Sequence, residues 1–312
     1  MSARPVTLRG GLTDYLSLRR ALGFELRAQG RLLGQFVDYL EARGRDTVTT
    51  KDALGWASLP VGTSPAWLAI RVSVVRGFAT YLHGVDPRTE VPPAGLVRGG
   101  SCRATPYLYS EAEIAALLGA AGGLEPRLRA ATYQSLLGLL AATGARIGEA
   151  IRFDNDDLDA ARSLLTVRDT KFNKSRLVPL HPSTLEALVG YTELRDQLCP
   201  RPVSPALFVS TAGTRLLHSN IGLTFARLTA QVGITRRSAA CRPRIHDLRH
   251  SFAVASLLDW YSRDEDVPVM MARLSTYLGH TDPKNTYWYL SAAPELMALA
   301  AQRLEGYLGA RP

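Results

Sequence analysis

Helical periodicity stops at Asp86 and resumes only at Ser110, and the interval holds Pro87, Pro92, Pro93, Gly95, Gly99, Gly100 and Pro106. Proline lacks the amide hydrogen, and glycine the side chain, that a helix interior needs, so no single helical body runs through this stretch. A chain of 312 residues is long enough to bury two cores. The break therefore predicts an N-terminal domain over 1–90, a linker over 91–106 and a second domain over 107–312 that ends in a helix.

Before the break, Leu32, Leu33, Phe36, Val37 and Leu40 share one face of a helix expected over Arg31–Arg43. A second helix is expected over Pro65–His83. Its stripe is Leu68, Val72, Val75, Ala79 and Leu82, its start is Ser64-Pro65, and Arg71 and Arg76 lie off the stripe. After the break, Ser110 and Glu113 have the spacing of a capping box, and Ala131–Ala142 reads as a buried helix that ends near Thr143-Gly144. Ser163–Arg168 and Arg176–His181 are strand-like runs on either side of a polar turn, and Ala206–Ser210 is a candidate further strand. From Ser219 onwards the pattern is helical, with breaks at Arg242–Arg244, Ser262–Asp266 and Pro283. The expected fold class is mainly α, a helical domain followed by a mixed α/β domain holding one small antiparallel sheet.

A formal net charge of +9 favours a polyanionic partner. Of 37 basic residues only four are lysines, Lys51, Lys171, Lys174 and Lys284, so two lysines in one hairpin turn mark that turn. Cys102, Cys199 and Cys241 are widely spaced and form neither a Cys-x-x-Cys pair nor a zinc-ligand pattern, which predicts a reducing cytoplasm and no metal site. No run approaches the ~18 apolar residues of a membrane span, and the first residues lack a signal-peptide core. The expected location is the cytoplasm, with the nucleoid, and away from membranes.

Five motifs follow one another in the chain: Thr143-Gly144-Ala145-Arg146, Lys171 in the hairpin turn, His246-Asp247-Leu248-Arg249-His250, Leu278-Gly279-His280, and Tyr287-Trp288-Tyr289. Each alone matches by chance in many chains. In this order they resemble the catalytic set of the tyrosine recombinases, the phage integrase family. The resemblance runs by motif from Ser110 to the C-terminus. It extends to the first helices by size, position and charge, which resemble the family's core-binding, SAM-like domain.

The chemistry of such a site is legible in the residue types. Attack on a phosphodiester builds negative charge on its oxygens, and forked guanidinium donors meet it. A tyrosine hydroxyl, ionising near ~10, needs a base or a cationic site that lowers its pKa, and a 5′-alkoxide needs a proton as it leaves. The resemblance implies that Arg146 and Arg249 clamp the phosphate, His246 handles the nucleophile's proton, His280 hydrogen-bonds the phosphate and Lys171 protonates the leaving oxygen. Tyr289, nine positions after His280, is the implied nucleophile, with Tyr287 its competitor. Glu149 is the implied carboxylate that holds an arginine in place. Lys174, Arg71 and Arg76 are candidate DNA contacts. The bland readings are an ion pair of Arg249 with Asp247 or Glu149 and, for each imidazole, a buried backbone group that it satisfies, a structural purpose that also suits His250.

The resemblance further implies double-stranded DNA as partner, a 3′-phosphotyrosyl intermediate and no cofactor, neither ATP nor metal. It implies a homo- or hetero-tetramer on paired DNA sites, with partner recombinases in some systems. The helix expected after Pro294 docks on a neighbour or packs on its own domain. The interval from Arg249 to Leu278 is longer than the family's common pattern, and with the Tyr-Trp-Tyr-Leu ending it resembles transposon-borne recombinases, including those encoded as three tandem genes. Two rivals stay open: a DNA-binding accessory homologue without activity of its own, and a type IB topoisomerase-like enzyme.

Overall fold

The computed structural model describes residues 7–59, 62–98, 104–170, 174–263, 265–280, 282 and 284–291. Lys171, Cys102 and the helix expected after Pro294 lie outside the described residues, as does the side chain of Lys174. The chain divides into two compact units, the first reaching Arg103 and the second beginning at Ala104.

The first unit is four helices, α1 (Leu8–Ala21), α2 (Arg27–Glu41), α3 (Thr50–Ala57) and α4 (Pro65–His83). Leu33, Phe36, Val37 and Leu40 from α2 meet Trp56 from α3 and Val72, Val75, Phe78 and Leu82 from α4 in one core. The apolar spacing of α2 and α4 thus turns one face of each inwards. Ser64 caps α4 by accepting the Trp67 amide at 3.3 Å, and Pro65 fills a first-turn position that needs no amide.

One arginine of α4 departs from the expectation. Arg71 is buried: its guanidinium lies 3.7 Å from the Trp56 ring centroid and donates to the Trp56 carbonyl at 2.7 Å. It is one position before Val72 and reaches back over the preceding turn, so it is a core cation and not a free surface donor. Arg76 donates to the carbonyls of Pro92 and Pro93 at 2.8 and 2.9 Å, tying the start of the proline-rich stretch to α4.

The second unit opens with α5 (Glu111–Gly122), whose capping box between Ser110 and Glu113 is fully formed. Then come α6 (Arg127–Thr143), α7 (Ile147–Arg152), β1 (Leu158–Asp159), β2 (Leu164–Thr170), β3 (Lys174–Pro179) and α8 (Pro182–Leu198). The rest of the described residues hold α9 (His218–Gln231), α10 (Asp247–Ser262), α11 (Val267–Leu278), α12 (Lys284–Tyr287) and a 3₁₀ turn, Trp288–Ser291. The sheet is antiparallel in the order β1-β2-β3, with Leu165 opposite Val178 and Val167 opposite Arg176. Helix α6 packs against α5, α8 and α10, and its Leu136, Leu139 and Leu140 are almost fully enclosed. Burying each such leucine contributes roughly 1.5–3 kcal/mol.

Ala206–Ser210 is not a ladder strand. It makes only isolated bridges, Asp154 with Ala206 and Val209 with Arg215. The run is apolar because Ala206, Leu207, Phe208 and Val209 are all buried, while its backbone is satisfied piecemeal, by Phe153 and Thr214. Among the described residues no helix is long and apolar enough to cross a membrane.

Candidate active site

Two left-handed glycines make the site. Gly144 ends α6 at φ 61°, where an added Cβ would stand 2.6 Å from the Phe252 ring. Gly279 ends α11 at φ 67°, where a Cβ would stand 2.8 Å from Nη1 of Arg176. Only glycine takes such a conformation freely, and here the space is closed as well.

The end of α11 is a Schellman motif: the Gly279 amide donates to the Thr276 carbonyl at 3.0 Å and the His280 amide to the Ser275 carbonyl at 2.9 Å. That closure places His280 at the first position beyond the glycine. It also leaves the carbonyls of Tyr277, Leu278 and Gly279 without helical donors, at the negative end of the helix dipole.

Three arginines take these carbonyls. Arg176 of β3 donates to Tyr277 at 2.9 Å, Arg249 of α10 donates to Leu278 at 2.6 Å, and Arg146 reaches Leu278 and Gly279 at 3.4 and 3.3 Å. Arg249 also donates to the Gly144 carbonyl at 2.7 Å, so both glycine turns hold it. The interaction between Arg249 and either Asp247 or Glu149 that a structural ion pair would need is not what anchors it; Asp247 instead takes a two-pronged contact from Arg244, at 3.0 and 2.8 Å.

One buried carboxylate faces this group. Glu149 caps the start of α7 by accepting the Arg146 amide at 2.9 Å, accepts the Arg146 guanidinium at 2.8 Å, and takes both Nη atoms of Arg176 at 3.1 and 2.8 Å. Burial pushes its carboxyl up, but Arg176 by hydrogen bond and charge, then Arg146, outweigh this and hold it at about 2. Burial and then the charge of Arg146 bring the Arg249 guanidinium down to about 10, against the pull of Tyr289 and Glu149. Three guanidiniums against one carboxylate leave positive charge in excess, and an anion entering here relieves it.

The nucleophile candidates separate clearly. The Tyr289 side chain is 2% exposed, it pulls the Arg249 pKa upwards, and its ring stacks on His280 with centroids 5.9 Å apart. Tyr287, on the other face of the turn, is 56% exposed. His280 reaches Arg249 through Nε2 at 2.9 Å and the Thr286 hydroxyl through Nδ1 at 2.7 Å. Arg146, Arg249, His280, Tyr289 and Glu149 are thus brought together.

His246 stands at the start of α10 and is exposed. Partial burial and then the Arg249 charge lower its pKa from the ordinary 6.5, against Asp247, which raises it. The imidazole is therefore neutral at neutral pH and able to accept a proton. Its ring meets His250 edge-on at 5.0 Å, and His250 in turn meets Trp288 at 5.0 Å and Tyr289 at 5.3 Å. The His250 ring thus lies between those of His246 and Tyr289.

Arg176 and Thr286 were not singled out by sequence. Arg176 had a signal: it shares strand parity with the buried Val178 and Leu180, while Leu177 is exposed, and an arginine on the inward face of a strand needs a carboxylate. Thr286 precedes Tyr289 by three and is 1% exposed, but a four-residue helix gives no periodicity to read. Among the described residues no group of three or more His, Cys, Asp or Glu side chains has the spacing to hold a metal ion.

The Phage integrase family matches residues 109–295 of this chain. A putative integrase/recombinase, y4rB of Sinorhizobium fredii, is 43% identical over 305 residues, covering 96% of this chain and 97% of its own. Tyrosine recombinase XerC of Azotobacter vinelandii is 33% identical over 228 residues, 73% of this chain and 70% of its own. The fold is that of the XerH site-specific recombinase in its post-cleavage complex with palindromic difH DNA, at a TM-score of 0.63 and 19% identity over 97% of this chain and 84% of that one.

Proposed function

The chain belongs to the phage integrase family, the tyrosine recombinases that cut and rejoin double-stranded DNA at specific sites, and from that premise we propose how its residues divide the work. The scissile phosphate sits against Arg146 and Arg249, with a third hydrogen bond from His280. Tyr289 attacks phosphorus, forming the 3′-phosphotyrosyl bond as the bond to the 5′-oxygen breaks. His246 accepts the tyrosine proton, and Lys171 protonates the departing 5′-oxygen, with Lys174 its neighbour in the turn. Because the energy of the phosphodiester is kept in the covalent link, rejoining is the same reaction reversed.

The observation that carries this reading is the meeting of Arg249, His280 and Tyr289 around one point, with Arg146 sharing the Leu278 carbonyl with Arg249. Glu149 keeps Arg146 turned towards that point. Arg71 carries no part of it, since its guanidinium is enclosed against Trp56, whereas Arg76 keeps donors beyond those given to Pro92 and Pro93 for a DNA phosphate. The division of labour between a DNA-clamping N-terminal domain and a catalytic domain, assembly as a homo- or hetero-tetramer on two paired sites, and a place beside the chromosome complete the reading.

Its test is a plasmid carrying two copies of the ends of the element that encodes the protein. Recombinant circles that require both copies, and that vanish in Arg249→Ala, support it. Relaxation of supercoils on plasmid without these ends would favour topoisomerase-like activity instead.

A further inference from the structure

The two ring nitrogens of His280 have different partners, and one partner fixes the tautomer. A guanidinium has donors only, so Arg249 Nη2 at 2.9 Å from Nε2 requires a lone pair there. The neutral ring therefore carries its proton on Nδ1 and donates it to the Thr286 hydroxyl at 2.7 Å. This is the wrong form for the work assigned to His280, because a phosphate oxygen has to be met by an Nε2 proton.

Two routes lead to that proton. Protonating the ring places a second cation on the site of Arg249, whose own charge is already poorly compensated by its buried surroundings. Exchanging tautomers adds no charge: Nδ1 gives its proton to water, Nε2 takes one from water, and Nδ1 becomes an acceptor. The second route needs a neighbour at Nδ1 that accepts in one state and donates in the other. A threonine hydroxyl does both by rotating.

We propose that Thr286 is a positioning residue whose reversible hydroxyl lets His280 exchange tautomers when a DNA phosphate replaces Arg249 at Nε2. The inference rests on the reading of His280 as a phosphate ligand. Thr286 is 1% exposed, lies six residues beyond His280 and three before Tyr289, and so ties the histidine to the turn that carries the tyrosine.

The test combines ¹⁵N NMR of histidine-labelled full-length protein with cleavage of nicked duplex covering the element ends. In the free protein the His280 Nε2 resonance, assigned through His280→Asn, has the shift of an unprotonated nitrogen; on the duplex, in a Tyr289→Phe background that halts chemistry, Nε2 becomes the protonated one. Thr286→Val, which keeps the shape and removes the hydroxyl, lowers the cleavage rate about 10- to 100-fold with duplex binding unchanged, and Thr286→Ser restores it. A proton already on Nε2 in the free protein, or wild-type cleavage by Thr286→Val, overturns the proposal. Failure of Thr286→Ser to rescue a Thr286→Val defect overturns it too, in favour of packing alone. If His280→Asn cleaves normally, the reading of His280 itself falls, and the inference falls with it; if His280→Asn is inactive while Thr286→Val is normal, only the inference falls.

Discussion

Arg176 and Glu149 meet as a two-pronged buried pair, Nη1 and Nη2 lying 3.1 and 2.8 Å from the two carboxylate oxygens. The pair joins β3 to the start of α7, and through the Tyr277 carbonyl to the end of α11. Removing Arg176 leaves the buried Glu149 with the Arg146 contacts alone, and breaking a buried pair typically costs up to about 3–5 kcal/mol. Arg176→Gln is therefore expected to lower the unfolding midpoint in urea and the cleavage rate together. Arg176→Lys, a point charge without the fork, recovers little of either. A midpoint unchanged in Arg176→Gln contradicts the pair's role.

Glu149 makes acid stability a second test. Its carboxyl is held at about 2 in the folded chain against an ordinary 4.5. A carboxyl depressed by folding stabilises at pH above its unfolded value, and that stabilisation, on the order of 3 kcal/mol here, is lost as pH falls from about 4.5 towards 2. Urea unfolding between pH 7 and 3 is expected to show a steeper decline for wild type than for Glu149→Gln, which has no such proton to bind. Parallel declines contradict the assignment.

The glycine turns predict a contrast between neighbours in the site. Gly279→Ala forces a left-handed alanine, costing roughly 1–2 kcal/mol, and drives its methyl into Arg176. Gly148, inside α7 with open space where its Cβ would be, is expected to tolerate alanine or gain from it. Thermal melts of the two variants check both, with loss of cleavage expected only for Gly279→Ala.

As the proposed base, His246 is expected to set the acid limb of the reaction. Because surrounding protein and Arg249 lower its pKa below 6.5, the base stays neutral down to more acidic pH than a free imidazole would. Single-turnover cleavage is expected to hold constant from pH 8 to below that ordinary value and then fall as the ring charges. A rate that already halves above it contradicts His246 as the base in this environment.

Sequence gave away the parts of this molecule that repeat or that punctuate. The α4 stripe with Ser64-Pro65, the capping box at Ser110 and Glu113, and the turn glycines are local signals, and each names its element. The paired runs of the hairpin were legible by alternation, and Arg146, Arg249, His280 and Tyr289 by motif order. What escaped were contacts between distant segments. Arg71 looked like a surface cation because periodicity does not say that a guanidinium folds back over Trp56. Ala206–Ser210 looked like a strand because burial of Ala206–Val209 mimics a central strand, whereas its carbonyls and amides are met by scattered partners, among them the Tyr191 and Arg195 side chains of α8. Arg176 was readable only by following strand parity through to its electrostatic consequence.

The central claim is that Tyr289 carries the DNA. Nicked duplex covering the element ends, mixed with protein in excess chelator and denatured in SDS, separates the outcomes. The account predicts a covalent adduct from wild type and from Tyr287→Phe, unaffected by the chelator, and none from Tyr289→Phe. An adduct that survives in Tyr289→Phe and disappears in Tyr287→Phe would contradict it.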